Sequence, residues 1–325
     1  MRYLSLGASV GAAMVVAASS VFAQDSKTIA ISTIVEVPAL IQTRDGAIAA
    51  LANRGFVAGK NLVVNYQNAN GNMPTQQQIA KKFVGENVDA VLAITTPTAQ
   101  TVATATKEIP IVFASVTDPV KAQLIKGYEP TGTNITGVSD AAPLSEQLKL
   151  MKEIVPNLKR VGFIYNPGLD NAISTLEGLE IVAKDANIEI VESPAPTTNE
   201  VILAAKKLLG KVEAIYVPND STVVSALEAI VKIGQDTKTP VFTGETGGVE
   251  RGAMAAVGID YIEVGKVAGN MIADIFEGKK VGEITPVIAH EANTKFMVFL
   301  NKKAADAMGV TIPDAVSARA TQIIP

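Results

Sequence analysis

The chain has 325 residues, enough for two domains of ordinary size that each bury a core. Its 28 Lys+Arg against 32 Asp+Glu give a formal net charge of −4 with no basic run longer than two residues, which argues against nucleic acid as a partner. Zero Cys excludes disulfides, thiolate nucleophiles and thiolate metal sites, and a single His leaves no multi-histidine centre.

In chain order, residues 1–23 read first as a secretory signal. Arg2 supplies a positive start, residues 4–18 are small and aliphatic, and Val21-Phe22-Ala23 ends the stretch in a cleavage-like pattern. A membrane anchor is the weaker alternative, because serines and glycines interrupt the apolar part. Cleavage after Ala23 would release a soluble periplasmic chain starting near Gln24, with no Cys there for a lipid anchor.

Beyond the signal, short apolar runs alternate with amphipathic stretches. Strands are predicted over 28–33, 62–68, 90–95, 111–115, 160–165, 189–192, 214–218, 240–243 and 253–258. Most are continuous apolar runs, the pattern of parallel strands covered on both faces. Helices are predicted over 38–54, 73–87, 144–155, 171–186, 199–209, 221–236, 262–278 and 302–308. Alternation of this kind specifies an α/β fold with parallel sheets. The pattern pauses near 138–143 and starts afresh, which divides the chain into two similar lobes.

Open α/β sheets bind ligands beyond the carboxyl ends of their strands. That rule selects the loops 33–37, 95–100, 115–119, 166–171, 219–222 and 244–248, which are rich in short polar side chains. Thr96 before Pro97 reads as a helix start, with Thr96 as N-cap and Pro97 as the first helical residue. Its free N–H groups suit a carboxylate or phosphate. Asn219-Asp220-Ser221-Thr222 is a second helix start, where Asp220 either caps its own helix or meets a ligand amine. Thr117-Asp118-Pro119 is a third, with a structural turn at Asp118 as the competing reading. His290-Glu291 opens like a zinc-protease motif, but Thr294 stands where the second His belongs, so His290 reads as a surface or strand residue. No phosphate-binding loop, dinucleotide fingerprint or nucleophile elbow is present, so no cofactor or metal is expected and catalysis is not favoured.

Several pieces taken together carry a family resemblance. They are Leu51-Ala-Asn-Arg-Gly-Phe-Val-Ala-Gly-Lys-Asn61, Asn68-Ala-Asn-Gly71, Asp89 through Thr96-Pro97-Thr98-Ala99-Gln100, Ile109 through Thr117-Asp118-Pro119, Asn134-Ile-Thr-Gly-Val138, Asn166-Pro167, Gly258-Ile-Asp-Tyr261 and Met308-Gly-Val-Thr-Ile-Pro313. In this order the chain resembles ABC-transporter substrate-binding proteins of the tryptophan/phenylalanine-binding type, which have the type I periplasmic binding fold. The resemblance implies two Rossmann-like lobes, 27–137 plus 247–280 and 138–246 plus 281–325, with hinge segments at 137–140, 246–248 and 281–283. It implies a ligand site at Thr96, Thr98, Ala99, Gln100, Thr117 and Asp118, faced by Asn219, Asp220 and Ser221. Aromatic candidates for the wall are Phe113, Tyr165, Phe242 and Tyr261, and the absence of Trp counts against an aromatic ligand. The implied partners are a small solute, a permease and its ATPase subunits, and the implied state is a monomer. A sensor subunit is a second reading, and an enzyme using Asp118 and Asp220 a third.

Overall fold

A computed structural model describes residues 26–292 and 296–325; the predicted signal lies outside them. The first lobe opens with β1 (Lys27–Thr33), α1 (Pro38–Asn53), β2 (Leu62–Asn68), α2 (Met73–Gly85), β3 (Ala90–Ile94), α3 (Thr96–Ala105), β4 (Ile111–Val116) and β5 (Ile135–Ser139). The second contains α4 (Leu144–Ile154), β6 (Arg160–Tyr165), α5 (Asp170–Asp185), β7 (Glu189–Pro194), α6 (Val201–Leu208), β8 (Ala214–Val217), α7 (Ser221–Val224), α8 (Leu227–Thr237), β9 (Val241–Thr243), α9 (Gly247–Glu250) and β10 (Ala255–Gly258). The chain then returns to the first lobe for α10 (Tyr261–Phe276) and β11 (Val287–Ile288), and ends in the second with β12 (Met297–Asn301) and β13 (Gln322–Ile324).

The first sheet runs β11-β5-β4-β3-β1-β2 and is parallel throughout. The second runs β13-β12-β10-β9-β8-β6-β7, with β12 antiparallel to β10. Every residue of β3, β4, β5, β8, β9 and β10 is buried, as strands sandwiched between helix layers must be. On one face of the first sheet α1 and α10 lie unusually close. A β-carbon at Gly46 would stand 2.2 Å from the Ile262 carbonyl oxygen, and one at Gly269 would stand 2.4 Å from that of Ala47. Only glycine admits this approach, since any larger residue would force the backbones apart.

The sheets place the lobe crossings differently from the expected boundaries. The first crossing falls at 140–143, because β5 continues to Ser139 against β4. The second is not at 246–248. Residues 247–258 form α9 and β10, and β10 pairs in parallel with β9 through Ala255–Phe242 and Ala256–Thr243, so the chain crosses only at Ile259–Asp260. The third is not at 281–283, a short turn held to the first lobe by Gly132 N–H donating to the Gly282 carbonyl at 3.0 Å; it falls after β11. His290, in that last crossing, brings Nδ1 to 3.1 Å from the Ala141 carbonyl oxygen, so Nδ1 carries the proton and ties the third crossing to the first. The predicted helix over 221–236 is two pieces, interrupted at Ser225 and Ala226, with Ala226 outside helical geometry.

Candidate functional site

The site begins with the strand order. Adjacent carboxyl ends in the first sheet put Val35, Thr95, Ser115 and Asp140 in a row above β1, β3, β4 and β5. In the second sheet the same rule lines up Glu245, Asn219 and Asn171 above β9, β8 and β6. The two rows face each other across a cleft lined also by Val37, Leu40, Thr96, Pro97, Thr117, Ser221, Val224 and Tyr261.

On the first lobe the start of α3 is held under strain. Thr95, the residue before the helix, has φ +86° and ψ 154°, a conformation rare for a β-branched residue. Its hydroxyl donates to Thr98 Oγ1 at 3.0 Å, which reaches Gln76 Oε1 at 3.5 Å, and Gln76 pairs with Ser32 beneath. This buried chain fixes the turn, so that Thr96, not Thr98, borders the cleft. Pro97 sits in the first helical turn, one place later than expected because Thr95 and not Thr96 is the N-cap. Ser115 is the extra residue of a β-bulge, with φ +53° and its hydroxyl 2.9 Å from that of Thr43.

Asp140 sits at the first crossing with three donors on its carboxylate. Thr117 Oγ1 donates at 3.1 Å to Oδ1, while Tyr261 Oη at 3.0 Å and Asn219 Nδ2 at 3.3 Å donate to Oδ2. Burial raises its pKa, and those three donors oppose the rise. Glu245 is also buried, which pushes its pKa up to about 7 against the backbone N–H groups of Gly247 and Gly248. Its Oε2 has no hydrogen-bond partner, and neither has Asn171 Oδ1. Asn171 is fixed by its other end, Nδ2 donating to the Asn219 carbonyl at 2.7 Å. Unpaired acceptors inside a closed cleft call for a ligand with donors. No Lys or Arg lines this cleft, and the described residues contain no group of three His, Asp or Glu that could hold a metal.

Of the expected site residues, Thr96, Thr117, Asn219 and Ser221 border the cleft; Thr98, Ala99, Gln100, Asp118 and Asp220 do not. Ala99 is fully buried behind the helix start. Gln100 crosses between lobes instead, donating to Asp170 Oδ2 at 2.7 Å. Asp118 accepts from Lys121 N–H at 2.9 Å and from Ser174 of the facing lobe at 2.6 Å. Asp220 caps α7: Oδ1 accepts from Thr222 and Val223 N–H, and Oδ2 accepts from Asn166 N–H at 2.6 Å. Both its oxygens are thus used by backbone groups, and the geometry favours the capping alternative over the amine contact. Among the aromatic candidates, Tyr261 reaches the cleft, whereas Phe113 and Phe242 are core residues and Tyr165 bonds Glu192 on the neighbouring strand β7.

Two α/β lobes with an acceptor-lined cleft between them and thin crossings beside it form the architecture of a solute receptor. The chain belongs to the ABC transporter substrate binding protein family, whose pattern matches residues 28–324. It is 39% identical over 287 residues to a tyrosine-binding protein of Clostridioides difficile, covering 86% of this chain and 83% of the relative. A crystal structure of a conserved domain protein from Vibrio cholerae is 43% identical with a TM-score of 0.89, covering 92% of this chain and all of that one. A Streptococcus pneumoniae ABC domain in complex with L-Trp is 32% identical with a TM-score of 0.87, at the same coverage. The protein is a substrate-binding receptor that serves an ABC transporter with a small-molecule ligand.

Proposed function

We propose that this receptor binds an amino acid in the interlobe cleft and works in the periplasm without altering its ligand. The carrying observation is that the helix start at Thr96 borders the same cleft as the acceptors Asp140, on its own lobe, and Asn171, on the facing one. The ligand carboxylate would lie at the start of α3, where N–H groups and the helix dipole favour an anion. Its ammonium would lie between Asp140 and Asn171 Oδ1, joined to each other through Asn219. The aliphatic wall of Val35, Val37, Leu40 and Val224 would take the side chain. That relatives are a tyrosine-binding protein and a domain seen with L-Trp supports an amino acid, including an aromatic one.

A thermal-shift screen across the amino acids tests the reading. A ligand at 100 times its dissociation constant adds ~2.7 kcal/mol of apparent stability; a flat response to all of them defeats it. Incubation with the ligand that binds should leave it chemically unchanged by NMR. Removal of residues 1–23 on export is checked by intact mass of the periplasmic fraction, expected to begin near Gln24. Light scattering should return the mass of one chain.

A further inference from the structure

The cleft contains more unpaired acceptors than one ammonium can satisfy. Three buried oxygens of cleft-lining residues have no hydrogen-bond partner: Asn171 Oδ1 above β6, Asn219 Oδ1 above β8 and Glu245 Oε2 above β9. Neighbouring strands are ~4.8 Å apart, so the outer two positions, those of Asn171 and Glu245, are separated by roughly 10 Å. Two acceptors sharing one nitrogen, each about 2.9 Å from it, lie at most about 6 Å apart. One ammonium therefore cannot serve both Asn171 Oδ1 and Glu245 Oε2, although it can share Asn219 Oδ1 with either. Asn171 belongs with Asp140 through Asn219, which assigns the ammonium to that side.

Glu245 lies next to the aliphatic wall. A methyl group placed on Gly247 would stand 2.8 Å from Glu245 Oε2 and 3.1 Å from Pro38 Cβ at the start of α1, next to Val37 and Leu40. A ligand side chain lying along that wall would end near this oxygen. A buried carboxylate with a free lone pair is costly beside a hydrocarbon and well satisfied by an O–H or N–H.

On the reading that the ligand is an amino acid, we propose that Glu245 determines specificity by accepting a hydrogen bond from a donor at the end of the ligand side chain. The receptor then prefers side chains that finish in O–H or N–H over hydrocarbon side chains of the same shape.

The test is calorimetry on matched pairs: L-tyrosine with L-phenylalanine, L-tryptophan with 1-methyl-L-tryptophan, and L-threonine with L-valine. Sites built to bond a ligand hydroxyl reject its deoxy analogue strongly, so the donor-bearing member of the pair that fits should bind at least about 100-fold more tightly. Glu245→Leu should bring that ratio below about 10 by weakening the donor-bearing member alone. Glu245→Gln, whose amide oxygen still accepts, should keep most of the preference. Equal affinities within every pair that binds, or a ratio unchanged in Glu245→Leu, overturn the proposal while leaving an amino-acid receptor intact. If Glu245→Leu does not fold by circular dichroism, the wild-type ratio and Glu245→Gln decide. Should no member of any pair bind the wild type, the amino-acid reading falls and this one with it.

Discussion

Tyr261 donates its hydroxyl to Asp140 Oδ2 at 3.0 Å, and so joins the end of the first lobe crossing to the end of the second. Both residues are buried, and Asn219 of the opposite lobe donates to both of them. The carboxylate that we assign to the ligand ammonium is thus held where the lobes meet, by groups whose spacing changes when the lobes part.

Tyr261→Phe should test that arrangement. It removes one donor from a buried carboxylate and leaves Asn219 Nδ2 with Asp140 as its one partner. A lost hydrogen bond to a charged group contributes about 1.5–3 kcal/mol, so ligand affinity should fall about 10- to 100-fold. Calorimetry measures the loss; an affinity within twofold of wild type would detach the hydroxyl from binding.

Asp140→Asn and Asp220→Asn should separate binding from architecture. The first should weaken an amine-bearing ligand about 10- to 100-fold by removing the charge beside the ammonium. The second should cost about 1–3 kcal/mol of stability, because an amide nitrogen would face the Asn166 N–H that Asp220 now satisfies. The folded fraction of Asp220→Asn should bind nearly as wild type. Denaturant melts alongside calorimetry on both variants give the comparison, and a reversal of the two effects would exchange the roles.

Glu245 predicts a pH dependence of the ligand-free protein. Burial is the leading cause that raises it from 4.5 to about 7, with Arg251 lowering it and Glu250 raising it. The folded chain keeps a proton that the unfolded chain has released, so the contribution is full below pH 4.5 and is lost as pH rises through 7. The stability of wild type relative to Glu245→Gln should therefore decline between pH 4.5 and 8, by on the order of 3 kcal/mol. Thermal melts of both proteins across that range decide, and a constant difference would mean that Glu245 is hydrated and not buried.

Gly269→Ala should destabilise the first lobe by about 1–3 kcal/mol, since its β-carbon would meet the Ala47 carbonyl oxygen at 2.4 Å. Ligand affinity of the folded fraction should stay close to wild type, because this contact lies away from the cleft. A melting temperature equal to wild type would show that α1 and α10 can separate freely.

The fold was legible because buried parallel strands leave continuous apolar runs, and runs such as 90–95 and 160–165 coincide with β3 and β6. Among the missed strands, β5, Ile-Thr-Gly-Val-Ser, looks like a loop, and β11 and β13 have two and three residues, whereas β12, Met-Val-Phe-Leu-Asn, carries the same apolar signal as the strands that were found. Crossing positions were misplaced because sheet membership is long-range. Nothing local in Ala255–Gly258 says that it pairs with Phe242 rather than returning to the first sheet. The loops of the site were found by their place after strands, but the side chains within them were not sorted. Asp220 and Glu245 are both acids after a buried strand, and only the fold shows that one has both oxygens on backbone N–H groups while the other keeps an oxygen free. Asp140 escaped attention because it stood in a segment read as hinge.

The order in which the chain visits its lobes bears on how it is made. Helix α1 is covered by α10, which leaves the ribosome roughly two hundred residues later, and β5 gains its outer neighbour β11 later still. The first lobe therefore cannot close its core while the second is unfinished, and an emerging chain stays without a complete domain until it is nearly whole. Such late assembly keeps a long stretch of polypeptide threadable, and it makes the last third of the chain the part whose truncation would leave both halves unable to mature.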